Sequence, residues 1–297
     1  MPKNIFIFTD RDLDGAGCVL AVKWAQPTAN IKFTSANELN FKETFIKWWT
    51  IADNRHNTDQ IFICDINVAA DYADILDDPK VCIVDHHSDK SAVKHLYKRA
   101  ILVCDKAAKS SARLMVNLLS PSLAPPKIEL LDLIDDYDSN TLKYLNSIDL
   151  NTIFFAMQGD RVAAFVKQYI NGFTPWTLEQ QNILKFHNLK LQQVEENLKI
   201  YTVEVTLDGT PRKIFSTFAD YSVNDIARYI IDKYNADITL VINLKNKTVS
   251  FRKNKTCNYD ISKLAKQLVD GGGHENAAGG VLSDKLLTFS KLFKEVW

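Results

Sequence analysis

Carboxylates and imidazoles collect at three places where an apolar run stops. Cys82-Ile83-Val84 leads into Asp85-His86-His87, Ile5-Phe6-Ile7-Phe8 into Asp10, Asp12 and Asp14, and Ile61-Phe62-Ile63-Cys64 into Asp65. Continuous apolar runs of this length read as parallel strands covered on both faces. Open α/β sheets gather ligands at the carboxyl ends of their strands. If the three strands are neighbours, Asp12, Asp14, Asp65, Asp85, His86 and His87 meet in one crevice. Like charges at close range raise one another's pKa, so this many carboxylates stay ionised together only with cations among them. The chemistry is metal binding, and neutral imidazole beside carboxylate suits Mn²⁺ or a similar first-row ion.

Each piece also has a plainer use. Asp10-Arg11-Asp12-Leu13-Asp14-Gly15 begins like a calcium loop, but the twelfth position, where that loop needs Glu, is Ala21, and a strand precedes the run. That leaves a helix cap or a ligand set, and three acids exceed what a cap needs. Asp65 alone could be an N-cap. Neighbouring residues of a strand project to opposite sides, so His86 and His87 are expected to part, one to a metal and the other to substrate or a supporting partner. Gly271-Gly272-Gly273-His274 is either a helix C-terminus with a turn or a backbone cradle for an anion. Arg252 is either a phosphate fork or a solvated rim residue.

The elements that must position these groups alternate. Strands at 4–8, 31–35, 60–65, 81–85 and 101–104 are interleaved with helical patterns at about 14–26, 41–51 and 68–77, the mark of a doubly wound parallel sheet. Ser110-Ser111 opens a helix through Leu119, Pro125-Pro126 is expected to hold the next connection extended, and an amphipathic stretch from Ile128 ends in Asp135-Asp136-Tyr137-Asp138. Thr177 to Lys199 reads as a long connecting helix. The α/β pattern then restarts: two antiparallel hairpins over 200–218 and 237–252, with helices at 224–234 and 260–269. Two domains are expected, at 1–185 and 201–297, joined by 186–200.

The 297 residues carry 36 Lys+Arg against 36 Asp+Glu, so no global charge advertises a long polyanionic partner. No apolar stretch approaches the ~20 residues needed to cross a bilayer, and a soluble, cytoplasmic protein is expected. Five cysteines without paired spacing read as core residues in a reducing compartment. Phe45, Trp48 and Trp49, at helical spacing, are expected in the core.

These motifs together resemble the DHH phosphoesterase superfamily, whose name is the tripeptide Asp85-His86-His87, in the branch with a C-terminal DHHA1 domain. Asp10 to Gly15 is similar to the first motif in its RecJ-type form, with Phe8 where many members have His, and Asp65 corresponds to the second. Arg252-Lys253 through Ile261-Ser262-Lys263-Leu264-Ala265 to Gly271-Gly272-Gly273-His274-Glu275-Asn276-Ala277-Ala278-Gly279 is similar to the DHHA1 signature. The resemblance implies two Mn²⁺ (or Mg²⁺) ions among Asp12, Asp14, Asp65, His86 and a fourth acid. That acid is Asp138 by preference, with Asp135 one turn back as second choice and Asp136 between them. Asp85 would orient a histidine or meet the second ion, and His87 would contact phosphate. Arg252, Gly272, Gly273 and His274 would bind substrate from the second domain across an inter-domain groove.

The implied activity is hydrolysis of phosphodiester bonds in short single-stranded oligonucleotides or in linear or cyclic dinucleotides. A RecJ-like 5′–3′ single-strand DNA exonuclease is the alternative, which calls for a long basic groove and stacking aromatics. A replication scaffold is a third reading, set against the retained acids. The sequence leaves a homodimer open.

Overall fold

Successive residues of the first strands are buried in different cores. Ile5, Ile7, Phe62, Cys64, Cys82 and Val84 enter one cluster, and Phe8, Ile61, Ile63, Val81 and Ile83 enter another. A strand apolar on both faces needs helices above and below it. The computed structural model describes residues 2–68, 72–87, 94–273 and 275–296, with the backbone alone at 38 and 39. It runs β1 (Asn4–Thr9), α1 (Leu13–Ala25), β2 (Asn30–Ser35), α2 (Glu38–Trp49), α3 (Ala52–Asn57), β3 (Gln60–Cys64), α4 (Ala73–Leu76), β4 (Val81–Asp85) and β5 (Ile101–Cys104). There follow α5 (Ser111–Leu119), α6 (Pro125–Asp138), α7 (Leu145–Ala156), α8 (Arg161–Gln168) and α9 (Leu178–Glu196).

The five strands are all parallel, in the order β2-β1-β3-β4-β5. The chain therefore reverses direction across the sheet between β1 and β3, the switch point at which this topology opens a crevice. On one face α1, α5 and α6 supply Val19, Ala112, Met115 and Ile134; on the other α2 supplies Phe41 and Phe45. Trp48 lies edge-on to Phe8 at 5.5 Å, and Trp49 stacks on Phe45, so these aromatics belong to the core side. None of the five cysteines is in a disulfide, and only Cys104 is not fully buried.

Two expectations in this region need correction. Pro125 and Pro126 do not extend the chain but occupy the first turn of α6, where a fixed φ suits the helix and the missing N–H has no intrahelical partner to lose. The helix expected at 41–51 starts earlier, because Asn37 and Asn40 close a capping box around its first turn. Of the helix expected at 68–77, residues 69–71 lie outside the described residues and only α4 is helical beyond them.

The chain divides into two compact units, Met1–Leu184 and Lys185–Trp297. The second continues with β6 (Ile200–Leu207), β7 (Thr210–Phe218), α10 (Val223–Tyr234), β8 (Ile238–Asn243), β9 (Thr248–Lys253), α11 (Ile261–Val269), β10 (Gly272–Gly273), β11 (Ala277–Val281), α12 (Asp284–Ser290) and β12 (Lys294–Val296). Its sheet is mixed, in the order β10-β11-β9-β8-β7-β6-β12, with β7 and β8 parallel across α10 and the other pairs antiparallel. Strands β10, β11 and β12 were not expected from the sequence. Ile261, Leu264 and Val269 of α11 pack on one face of the sheet and Ile226 and Ile230 of α10 on the other. Among the described residues no helix is long and apolar enough to cross a membrane.

Candidate metal centre

Strands β1, β3 and β4 are neighbours, so their acid-bearing ends meet. Past β1 the chain turns at once into α1. Asp12 caps that helix by accepting the Gly15 N–H at 2.9 Å, and Thr9 Oγ1 donates to the Gly15 carbonyl at 2.8 Å. The turn is tight enough that a Cβ on Gly15 would run into the Asp10 carbonyl oxygen and come within 2.9 Å of Thr9 Oγ1. Past β3, Asp65 has φ of 58°, a left-handed conformation rare outside glycine that recurs at functional sites. It takes the side chain out of the strand's pleat.

The first turn of α5 fastens two of these acids. The Ser111 N–H donates to Asp14 Oδ2 at 2.7 Å and the Ala112 N–H to Asp14 Oδ1 at 2.8 Å, so Asp14 sits on unpaired donors at the positive end of that helix. The Ser111 hydroxyl donates to Asp65 Oδ1 at 3.1 Å. Sequence reasoning read Ser110-Ser111 only as the start of a helix. The available signal was position: a helix that begins just after a parallel strand has its N-terminus at the carboxyl edge of the sheet.

The two histidines do not part as alternation would have them. Strand β4 ends at Asp85, so His86 and His87 have already left the pleat, and their rings stand 4.7 Å apart. His86 Nε2 lies 3.0 Å from Asp138 Oδ2 and 3.8 Å from both Asp14 Oδ2 and Asp65 Oδ1; its Nδ1 faces the Ala108 carbonyl at 3.3 Å. His87 Nδ1 lies 2.7 Å from Asp85 Oδ1 and 3.6 Å from Asp65 Oδ1. A carboxylate can only accept, so the proton on His87 belongs on Nδ1, and Asp85 sets the ring's tautomer.

The acids of α6 go to three different tasks. Asp138 joins His86. Asp135 accepts from Ser110 Oγ at 2.5 Å and from Arg113 Nε at 2.7 Å, and Arg113 also reaches Asp132. Asp136 accepts the Lys143 and Tyr144 N–H groups and the Ser147 hydroxyl. Asp138 is thus brought to the cluster, while Asp135 is engaged by a guanidinium and a helix cap.

Whether a cation fits is decided by the state of these groups. Asp14, Asp65, Asp85 and His86 are 0–4 % exposed. Burial and the neighbouring acids push Asp14 up to about 7 and Asp65 well above the carboxylate range; desolvation and Asp138 also raise Asp12. Burial pulls His86 down, but the Asp138 carboxylate and Asp14 outweigh it and lift the imidazole to about 9. Burial likewise opposes the charge on His87, and Asp85 overcomes it. Asp65 Oδ2 is buried and accepts no hydrogen bond. Ligand atoms of Asp14, His86 and Asp138 lie within 4.8 Å of one another, as do those of Asp65, His86 and His87. Crowded oxygen donors, with Asp65 Oδ2 and Asp138 Oδ2 both buried without a hydrogen bond, beside an imidazole nitrogen are the donor set of a divalent first-row ion, and the residues fit one.

In the second unit, Arg252 of β9 pairs with Ala277 of β11, whose next residues pair with Gly273 and Gly272. Arg252 Nη2 donates to Asn224 Oδ1 at 2.6 Å and Nη1 to the Phe251 carbonyl at 2.7 Å. Gly272 and Gly273 form an exposed strand and not only a turn after α11. Gly273 has φ of 137°, and a Cβ there would meet the Ala277 carbonyl oxygen at 2.5 Å. His274 lies outside the described residues.

Residues 4–137 match the family described as DHH family, N-terminal domain. No curated protein matches the chain. Three solved structures with this fold are informative. A DHH domain described as a member of the s1p family of ribosomal proteins is 16% identical with a TM-score of 0.66, over 97% of this chain and 86% of that one. The pGpG-specific phosphodiesterase PggH from Vibrio cholerae is 12% identical with a TM-score of 0.55, over 97% of both. The exonuclease RecJ bound to manganese is 13% identical with a TM-score of 0.53, over 97% and 88%. At these identities the likeness is one of fold.

Proposed function

We propose, from the match of residues 4–137 to the DHH family N-terminal domain, that this chain is a metal-dependent phosphodiesterase acting on short single-stranded oligonucleotides or on linear or cyclic dinucleotides. The observation that carries the reading is the meeting of buried Asp14, Asp65 and His86 with half-buried Asp12 and Asp138, in which Asp65 keeps one oxygen without a hydrogen bond. These five residues would hold two Mn²⁺ or Mg²⁺ ions. Bound there, divalent ions supply Lewis acidity toward phosphoryl oxygens and favour a hydroxide nucleophile near neutral pH.

The chain's own groups do the rest. Asp14 is immobilised by two backbone donors and Asp65 by one hydroxyl, so the site is organised in advance of substrate. Asp85 holds His87 by Nδ1 and favours its charged form, leaving Nε2 as the nitrogen to donate to a phosphoryl oxygen. His87 is 33 % exposed where His86 is 5 %, which suits substrate contact for the first and metal ligation for the second. Asp105 and Ala108 tie the β5–α5 loop to Asp85 and His86 by their backbones. That loop carries exposed Lys106 and Lys109, and Arg11 stands exposed between Asp10 and Asp12. No ion pair among the described residues holds these cations, and they supply charge for an anionic substrate.

The domain assignment proposed is 1–185 for catalysis, 186–200 as connector and 201–297 for substrate, the last through Arg252, Gly272, Gly273 and His274. The two compact units support it. Free cysteines suit a reducing compartment and support a cytoplasmic location.

The test is product analysis with Mn²⁺ on three substrates side by side: a 5′-phosphorylated RNA dinucleotide, a cyclic dinucleotide and a 5′-phosphorylated single-stranded DNA of about twenty nucleotides. Preference for a dinucleotide is expected. Degradation of the long DNA with dinucleotides intact would replace this reading with the exonuclease. No turnover with any substrate would replace it with a scaffold.

A further inference from the structure

Asp65 accepts a hydrogen bond at Oδ1 and none at its buried Oδ2, and its direction needs a cause. Its backbone is left-handed, so the strand's pleat does not aim it. Three groups approach Oδ1: Ser111 Oγ at 3.1 Å, His87 Nδ1 at 3.6 Å and His86 Nε2 at 3.8 Å. Only the hydroxyl is at hydrogen-bond distance. Ser111 is fully buried and its N–H is spent on Asp14. One residue therefore grips an acid from the first turn of α1 through its backbone and an acid from the end of β3 through its side chain.

We propose that Ser111 is a positioning residue of the metal centre, whose hydroxyl fixes Asp65 by Oδ1 and so keeps Oδ2 available to a cation. The inference rests on the metal-site reading above. Its two grips are separable: Ser111→Ala removes the hold on Asp65 while leaving both N–H donors to Asp14 and the Ser110 cap of α5, and alanine is a good helix former. Supporting groups that orient metal ligands typically affect affinity by about 10–100-fold.

The experiment uses the full chain stripped of metal and titrated with Mn²⁺ by calorimetry, beside melting curves of the metal-free protein and steady-state kinetics. Ser111→Ala is expected to bind Mn²⁺ about 10–100-fold more weakly and to melt, without metal, close to the wild type. It should lose kcat at limiting Mn²⁺ and regain it at high Mn²⁺, with KM unmoved. Ser111→Thr, which keeps the hydroxyl, should restore binding; if its methyl group lowers the melting temperature, Ser111→Cys, a weak donor of similar size, should bind between wild type and alanine. Wild-type Mn²⁺ affinity in Ser111→Ala would overturn the proposal and leave the metal site standing. So would weak binding that tracks a large fall in metal-free stability, since that is a structural effect. A wild-type chain that takes up no Mn²⁺ would overturn the site reading itself, and Ser111's role with it.

Discussion

Nε2 of His86 stands 3.0 Å from Oδ2 of Asp138, joining the end of β4 to the last turn of α6. The two form an ion pair when the imidazole is protonated, and a cation bound by both would displace that proton. His86 is lifted from 6.5 to about 9, so its pairing contributes fully below the lower value and is lost as pH rises toward the higher. Asp14 is lifted from 3.8 to about 7. The folded state keeps a proton that the unfolded chain releases, and stability again falls as pH climbs through that window. The metal-free protein should therefore melt at lower temperature near about pH 8.5 than near about pH 6. Saturating Mn²⁺ should remove or reverse the trend, because its ligands bind deprotonated. Melting curves with chelator and with Mn²⁺ across this range check both halves, and a metal-free melting temperature that rises with pH would contradict the account.

The acids of α6 should separate cleanly by phenotype. Asp138→Asn should weaken Mn²⁺ binding by about 10–100-fold with metal-free stability changed little, since the lost pairing with His86 is offset by relief of the repulsion on Asp12, Asp14 and Asp65. Asp136→Ala should instead cost about 1–3 kcal/mol of stability, because two N–H groups and the Ser147 hydroxyl lose their acceptor. Calorimetry and denaturant unfolding of both decide it. Asp135→Asn serves as control: if it lost Mn²⁺ binding as fully as Asp138→Asn while remaining as stable as wild type, the ligand would be one turn back.

Gly15→Ala should destabilise the first unit by about 1–3 kcal/mol. The added carbon has the Asp10 carbonyl in its way, and backbone cannot yield as a side-chain tip can. Urea unfolding measures it directly.

Replacing Lys106 and Lys109 together with Ala should raise KM several-fold, leave kcat within about a factor of two, and flatten the dependence of kcat/KM on salt. An unchanged salt slope would show that these lysines do not meet the substrate's phosphates.

Much of the centre was legible in the chain because its acids and imidazoles stand immediately after apolar runs, and parallel strands bring such ends together whatever the intervening helices do. Asp138 could be favoured over Asp135 by motif, but their separation depends on Ser110 and Arg113 occupying Asp135, which spacing does not encode. The convergence of His86 and His87 was hidden because alternation holds only while a strand lasts, and β4 stops one residue earlier. Gly272 and Gly273 read as a turn because two residues show no periodicity; their pairing to Gly279 and Ala278 is set by β11 lying alongside. The Ser111 contacts were out of reach for a related reason: a hydroxyl's partner is a matter of distance in space.

Asp14 lies near the start of the chain, yet the backbone groups it binds are 97 and 98 positions downstream. During synthesis α1 is complete long before anything can receive its carboxylate, and a nascent segment ending before Ser111 would have to leave that acid in water or bury it protonated. The packing of the first strands is therefore completed only by a helix encoded about a hundred residues later, and α5 is as much a part of their core as α1.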